Sequence, residues 1–595
     1  MSLDSFLLIP QPDIGYFCLR LEDFGTFHEN KLRISMEKAQ VEKIQSQLRR
    51  ILEQKQLEAI VVTSFDRHLN EYVPLEDCHR HDITGFKGSV ADSILPLKGK
   101  ARLFVDGRYH EQADKQCHLD IVDVEKCPYG VSNFQALKDF IVQSGFKKIA
   151  IEGERFGVGP WRELQKICDI TVLSAADLKE VEFGSAPIMG EMNLIDDKLC
   201  GESVQSKLQR LCKPGEGLFI STLDSVSWIS NSRGYQLPFQ STSRVQAFAT
   251  HTHLSLIPDQ GAKLSDQVKN KFTILKDLSA VDTSILRKVI IYPSVTNVAD
   301  YETILSFNLE IEERDGSLIL EQAKKNDTEI KVMENSFDLG DQAIFKTLCW
   351  LKETVKQRSV TEKEWNDQTS IFYNEMGAIS QSFRTISGFG ANSSIMHYGT
   401  PSKEKNWEEG EFALLDSGAF FEGGLATDTT RTILPMGQTT AKHKEVYTLV
   451  LKGLLQAQNA VFPEGTRGQA IDSLARAPMR RMGYDFAHGT GHGVGINVHE
   501  AGYSVTPLSQ VPLYAGRVGS IEPGIYIPGF GGVRLENIAV VEKHPTFKGM
   551  LRFRPLVWIG FDLDLIEKTL MNQEEIQWFM EYEAECQKRG RSFRP

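Results

Sequence analysis

The sequence predicts an α/β chain of several domains, and three observations carry that expectation. With 595 residues it has material for two to four domains of roughly 150 residues each. Helix-period and strand-like segments alternate through two successive stretches. A long helical stretch then leads into glycine-rich loops lying beside strand-like runs, where tight backbone placement around a site is expected.

Taken in order, residues 1–34 read as an irregular extension. From Glu37 to Gln56 the apolar residues Val41, Ile44, Leu48, Ile51 and Leu52 fall near one helical face, and LEAIVVTS (57–64) follows as a strand. SILPL (93–97), ARLFVDG (101–107) and KKIAIEG (147–153) are further strands, with FQALKDFIVQSG (134–145) a helix among them. The mixed, polar run PIMGEMNLIDD (187–197) reads as a linker. A second α/β unit then begins, with SVQSKLQRLC helical, GLFIST a strand, and more strands in AFATHTHLSLIP and KVIIYPS. A helix from Thr328 to about Lys356 opens the last region. These breaks divide the chain into 1–34, 35–190, 191–327 and 328–595, and no internal repeat is visible.

Composition narrows the function. A net charge of −12 with no long basic run argues against a nucleic-acid partner. No apolar run approaches about 18 residues, so no membrane span is expected. The start, MSLDSFLLIPQPD, lacks the basic region of a secretory signal. Nine scattered cysteines, an odd number without C-x-x-C spacing, read as reduced thiols, and the cytoplasm is the expected compartment. There is no P-loop, G-x-S-x-G elbow or H-E-x-x-H helix. The glycines at 388–390 and 489–495 form only partial dinucleotide patterns in the wrong context.

The chemistry-bearing residues lie between 397 and 536. EFALLDSGAFF and LATDTTRTIL read as a β-hairpin turning at Gly423 and Gly424, with Asp416 on one strand and Asp428 on the other. VGSIEPGIYIP and VRLENIAVVEK read as a second hairpin, turning at GFGG, with Glu522 and Glu536 in apolar company. Arg534 precedes Glu536 by two residues and shares its face. Between the hairpins, AHGTGHGVGINVHE carries His488, His492 and His499 in a glycine-rich setting. Either Asp alone reads more readily as a salt bridge or turn cap. Four strand-borne carboxylates with an imidazole make a hard, oxygen-rich set suited to two divalent ions bridged by carboxylates. Such a pair, about 3.5–4 Å apart, activates a bridging water and clamps a tetrahedral intermediate.

LLDSGAFFEGGLATDTTRT, HGTGHGVGINVHE, SIEPGIYI and VRLENIAVV strongly resemble the pita-bread metallopeptidases, which include methionine aminopeptidase, prolidase, creatinase and aminopeptidase P. SSIMHYG, with His397, resembles the segment that supplies a proton-shuttling histidine. NEYVPLEDCHRHDITGFKGSVADS (70–93), VDGRYHEQADKQ (105–116) and LDSVSWISNSRG resemble the long-form, three-domain aminopeptidase P. The resemblance implies two creatinase-like α/β domains before a pita-bread α+β catalytic domain. It implies Asp416, Asp428, His492, Glu522 and Glu536 as metal ligands. It gives His397, His488 and His499 roles in orienting substrate or moving protons, with Glu522 also a proton acceptor, and it places Arg534 beside the ligands.

The implied activity is an Xaa-Pro aminopeptidase, in which a hydroxide bridging two metals cuts the bond before a proline at the second position of a peptide. Proline offers no N–H for a protease to grip, which suits a metal-assisted specialist. Oxygen-rich ligation makes Mn²⁺ the first choice, with Zn²⁺ or Co²⁺ as alternatives, and the family suggests a homodimer. A prolidase restricted to Xaa-Pro dipeptides and a metal-free interaction protein on the same fold are the competing readings. One departure is that Asp416 and Asp428 stand one residue further apart than the family pattern. A three-residue turn, Glu422-Gly423-Gly424, would make Asp416 face Thr430 and leave Asp428 on the same face, diagonally about 7–8 Å away.

Overall fold

A computed structural model describes residues 37–594 except Tyr129 and Gly316, so the extension at 1–34 lies outside the described residues. The opening helix forms at Lys38–Gln54 because Val41, Ile44, Leu48, Ile51 and Leu52 line one buried face. It covers a six-stranded sheet whose strands are Ala59–Thr63, Asp92–Pro96, Ala101–Val105, Val122–Lys126, Lys148–Glu152 and Asp169–Leu173. Counted along the chain, they lie side by side in the order 4-3-2-1-5-6. A second six-stranded sheet uses Glu216–Ile220, Val245–Thr250, Leu254–Pro258, Thr273–Ile274, Lys288–Ile291 and Glu310–Glu313. Its order, counted the same way, is again 4-3-2-1-5-6. The pairing senses also agree. Strands 1–2 and 2–3 are antiparallel in both sheets, whereas 3–4, 1–5 and 5–6 are parallel. The chain therefore carries a duplicated fold that its sequence, which shows no repeat, conceals. Burial patterns preserve a topology without preserving residue identities.

The helix expected from Thr328 runs Asp327–Thr354. Asn326 and Glu329 form a capping box at its start, and Val332, Met333, Phe337, Ile344, Leu348 and Leu351 bury one stripe. Behind it stands a mostly antiparallel α+β unit. A three-stranded sheet joins Ile386–Phe389, Ala413–Ser417 and Thr429–Ile433. A six-stranded sheet contains Val518–Ile521, Asn537–Lys543, Gly491–Gly493 and Glu500–Val505. The architecture is thus two α/β domains followed by an α+β domain, the three-domain order that the resemblance implies. The eight described cysteines are free thiols, and no described helix is long and apolar enough to cross a membrane.

The first hairpin holds the expected register from strand to turn. Ala413 faces Ile433, Asp416 faces Thr430, and Phe420 still faces Ala426. The turn closes with Gly424 N donating to Phe421 O (2.9 Å), and Gly423 and Gly424 take φ of 91° and 62°. The register thus runs unbroken into the turn, where both glycines take the positive φ that glycine adopts without steric cost. The turn also docks on the second domain, where Gly424 O accepts from Ser241 Oγ (2.8 Å) and Arg233 Nε (3.1 Å).

A Cβ at Gly424 would lie 2.8 Å from the Arg233 side chain. Gly424→Ala should therefore destabilise the fold by about 1–2 kcal/mol or more, from left-handed strain plus this contact. A thermal scan reads it as a lowered Tm, and an unchanged Tm would show that the turn tolerates a side chain.

Candidate metal centre

The second hairpin is continuous in register but broken as a ladder at its two glutamates. Val518–Ile521 pairs with Asn537–Lys543, and Gly524–Ile527 pairs with Gly531–Arg534, on one common register that sets Glu522 opposite Glu536. Pro523 has no N–H to offer the ladder. The glutamate amides turn elsewhere, Glu522 N donating to Thr490 O (2.7 Å) and Glu536 N to Thr430 O (3.1 Å). These bonds tie the second hairpin to the first and to the histidine segment, which is how residues more than a hundred apart in sequence converge.

Asp416, Asp428 and Glu536 are buried, and Glu522 and His492 are partly so. One ligand atom each of Asp428, His492 and Glu536 lies within 4.8 Å of the others. His492 Nε2 stands 3.4 Å from both Asp428 Oδ2 and Glu522 Oε1. Its Nδ1 lies 3.1 Å from Gly493 O, a carbonyl that can only accept, so Nδ1 carries a proton and Nε2 is the nitrogen turned toward the carboxylates. Asp416 Oδ1, Asp428 Oδ1 and Glu536 Oε1 are buried without a hydrogen-bond partner among the described residues. Burial, Asp416 and Glu522 hold the Asp428 carboxyl well above the usual range. Burial, Asp428, Glu522 and Asp416 do the same to Glu536. Burial raises Glu522 against the pull of His492 and Arg534. Orphaned oxygens and mutually repelling carboxylates are what a protein-built cation site presents, so the donor set fits two divalent ions.

Arg534 is the buried cation at this cluster. Its Nη2 donates to Asp416 Oδ2 (2.5 Å), its Nη1 to Tyr526 OH (2.8 Å) and its Nε to Thr430 Oγ1 (3.1 Å). Thr430, facing Asp416 across the strands, donates in turn to Glu536 Oε2 (2.9 Å). Both ring nitrogens of His488 are taken by protein partners. Nδ1 donates to Gly489 O (2.7 Å), and Nε2 accepts from Tyr526 OH (2.8 Å), whose oxygen receives the Arg534 proton. Burial and Arg534 push its pKa well below the ordinary value, which keeps the ring neutral.

The other two histidines meet the first domain. His499 Nδ1 lies 3.0 Å from Tyr72 OH and 3.2 Å from the Glu71 carboxylate, and its ring packs 4.2 Å from that of His492. Burial opposes ionisation of Glu71, yet His499 and Arg108 hold it down to about 2. His397 Nδ1 lies 3.1 Å from Tyr109 OH. Burial, with Arg108 and Arg534, pushes the His397 imidazole down to about 3. Glu71, Tyr72, Arg108 and Tyr109 went unassigned in the sequence reading. They stand inside the segments NEYVPLED and VDGRYHEQ, but nothing local shows that these segments reach residues nearly 300 or more positions away. All of these groups line one cavity of about 2040 Å³, walled by all three domains.

Residues 331–543 match metallopeptidase family M24, while 45–181 and 185–329 each match a creatinase/prolidase N-terminal domain. A probable Xaa-Pro aminopeptidase P from Metarhizium acridum is 31% identical over 92% of this chain and 96% of its own. Another, from Sordaria macrospora, is 32% identical over 91% of this chain and 94% of its own. The crystal structure of X-prolyl aminopeptidase from Caenorhabditis elegans, a cytosolic enzyme with a di-nuclear active site, superposes with a TM-score of 0.84. It covers 93% of this chain and 95% of its own at 26% identity.

If these carboxylates hold cations, adding Mn²⁺ to chelator-treated protein should raise Tm, by about 2.7 kcal/mol of stability at a hundredfold excess over Kd. Glu536→Gln should fold yet lose most of that rise, whereas an equal rise in both proteins would exclude Glu536 as a ligand. Shared segments, shared domain order and end-to-end similarity agree, and the chain belongs to the long-form, three-domain aminopeptidase P family of the pita-bread metallopeptidases.

Proposed function

We propose that the chain is an Xaa-Pro aminopeptidase that hydrolyses the bond before a proline at the second position of peptides. The observation that carries this over a dipeptide-only prolidase is the cavity. At about 2040 Å³ it exceeds the several hundred Å³ typical of a small-ligand pocket, leaving room for chain beyond the proline. The named relatives and the cluster of donor atoms from Asp428, His492 and Glu536 support the same reading against a metal-free binding protein.

Asp416, Asp428, His492, Glu522 and Glu536 would hold two divalent ions, with Mn²⁺ the proposed pair. When bound, such ions supply Lewis acidity, lowering the pKa of a water and polarising the scissile carbonyl. Glu522, the most accessible of the four carboxylates, accepts the proton of the attacking water. That proton passes to the proline nitrogen as the C–N bond breaks, since a secondary amine leaves only when protonated. His499 faces this step with Glu71 ready to balance a positive imidazole. His397, neutral, donates a hydrogen bond to the carbonyl oxygen as charge gathers there. His488 acts through Tyr526, fixing Arg534 and so the Asp416 carboxylate. A cytoplasmic homodimer is proposed from the resemblance.

An Xaa-Pro-Xaa tripeptide should lose its first residue, with activity abolished by chelator and restored by Mn²⁺. Xaa-Ala-Xaa should be cut much more slowly, and equal rates would indicate a general aminopeptidase. Cleavage of Xaa-Pro dipeptides alone would establish the prolidase reading instead. His397→Ala should lower kcat by roughly 10²–10⁴ with metal content near wild type. Loss of metal in that variant would move His397 among the ligands.

A further inference from the structure

Tyr109 belongs to the first domain, at the start of the helix His110–Gln116, yet it completes the surroundings of His397 in the third. Its ring is held from the side by Phe86, the two meeting edge-on with centroids 5.7 Å apart. Gly88 leaves room for both rings, because a Cβ there would fall 2.3 Å from Phe86 Cζ and 2.9 Å from Tyr109 Cδ1. The Tyr109 hydroxyl lies 2.8 Å from Ser89 Oγ and 3.1 Å from His397 Nδ1, and its ring meets the imidazole edge-on at 5.4 Å. His397 itself follows the short 3₁₀ turn Gly390–Ser394, outside any helix or strand, so its own segment does not fix the ring. Nε2 of His397 has no hydrogen-bond partner among the described residues, and the side chain lines the cavity.

Counting protons gives the chain a direction. If Ser89 donates to Tyr109 and Tyr109 donates to His397 Nδ1, both hydroxyl protons have acceptors. In the opposite direction the Ser89 proton would be left to solvent, since Ser89 is half-buried and lines the cavity, so the first direction is the one that keeps both protons within the protein. Burial pushes the Tyr109 phenol above its ordinary pKa, so it keeps its proton, and His397 is neutral, so it can accept it.

We propose that Tyr109, backed by Ser89, is a positioning residue that fixes His397 in the Nε2–H tautomer and aims that N–H into the cavity. His397 then works as a neutral hydrogen-bond donor to the scissile carbonyl oxygen and not as a carrier of protons. The tautomer is inferred from the hydrogen-bond chain, while its use in catalysis rests on the function proposed above. It also gives the first domain a specific task, supplying the hydroxyl that decides where a proton sits in the third.

The test uses the full chain loaded with Mn²⁺, as wild type, Tyr109→Phe, His397→Gln and the double variant. Tyr109→Phe keeps the packing ring and removes only the hydroxyl. It should lower kcat on an Xaa-Pro-Xaa peptide about tenfold, the worth of one hydrogen bond, with KM and metal content unchanged. Glutamine at 397 has no tautomer to set, so in that background the same change should alter kcat by less than about twofold. An equal loss in both backgrounds would overturn the proposal, because Tyr109 would then act independently of His397. A second measurement is ¹⁵N NMR of histidine-labelled chain loaded with diamagnetic Zn²⁺ in place of Mn²⁺, with the His397 signals assigned by their loss in His397→Gln. Wild type should show a protonated Nε2 and an unprotonated Nδ1, and Tyr109→Phe a mixture of tautomers. A proton on Nδ1 in wild type would refute the assignment. The spectrum reads the tautomer whether or not a peptide is cleaved, so failure of the proposed activity and failure of this inference are separate results.

Discussion

Four carboxylates, Asp416, Asp428, Glu522 and Glu536, converge in the protein interior with Arg534 as the buried cation beside them. Carboxylates crowded in a low-dielectric interior repel one another and cannot all ionise without positive charge between them. Three of their oxygens find no donor among the described residues. The surrounding structure can be understood as holding this unfavourable cluster in place. The two hairpins are cross-linked by Glu536 N to Thr430 O, and Thr430 carries a hydroxyl bond to the Glu536 side chain. Arg534 reaches Asp416, Tyr526 and Thr430 at once, using the forked geometry that suits it to such a junction.

The three histidines around the cluster have similar sequence settings and different surroundings. His492 donates from Nδ1 to a backbone carbonyl and turns Nε2 toward the carboxylates. His488 has both nitrogens occupied and serves as a strut for Tyr526. His499 faces Glu71 and Tyr72 of the first domain. Partners, not position in the motif, separate a candidate ligand from a support and from a candidate acid.

Much of this was legible in the sequence because it is local. Alternation on the strands and the double glycine at 423–424 were enough to pair Asp416 with Thr430 and to locate the turn, and the structure has that register. The apolar stripes of Lys38–Gln54 and Asp327–Thr354 likewise declared two helices. Pro523 was a readable signal that the second hairpin's ladder breaks beside Glu522. The meeting of Tyr109 with His397 and of Tyr72 with His499 was not readable, because it depends on how the first domain packs against the third. The duplication of the two N-terminal sheets was hidden for a related reason, since strand order and pairing sense leave no trace in residue identity.

If the buried carboxylates hold two cations, metal analysis of the protein, equilibrated with Mn²⁺ and then freed of excess ion, should find two ions per chain in wild type. Asp428→Asn and Glu536→Gln should retain fewer, and His488→Ala should retain two. A folded wild-type chain that retains no ion under these conditions would contradict that role for the carboxylates.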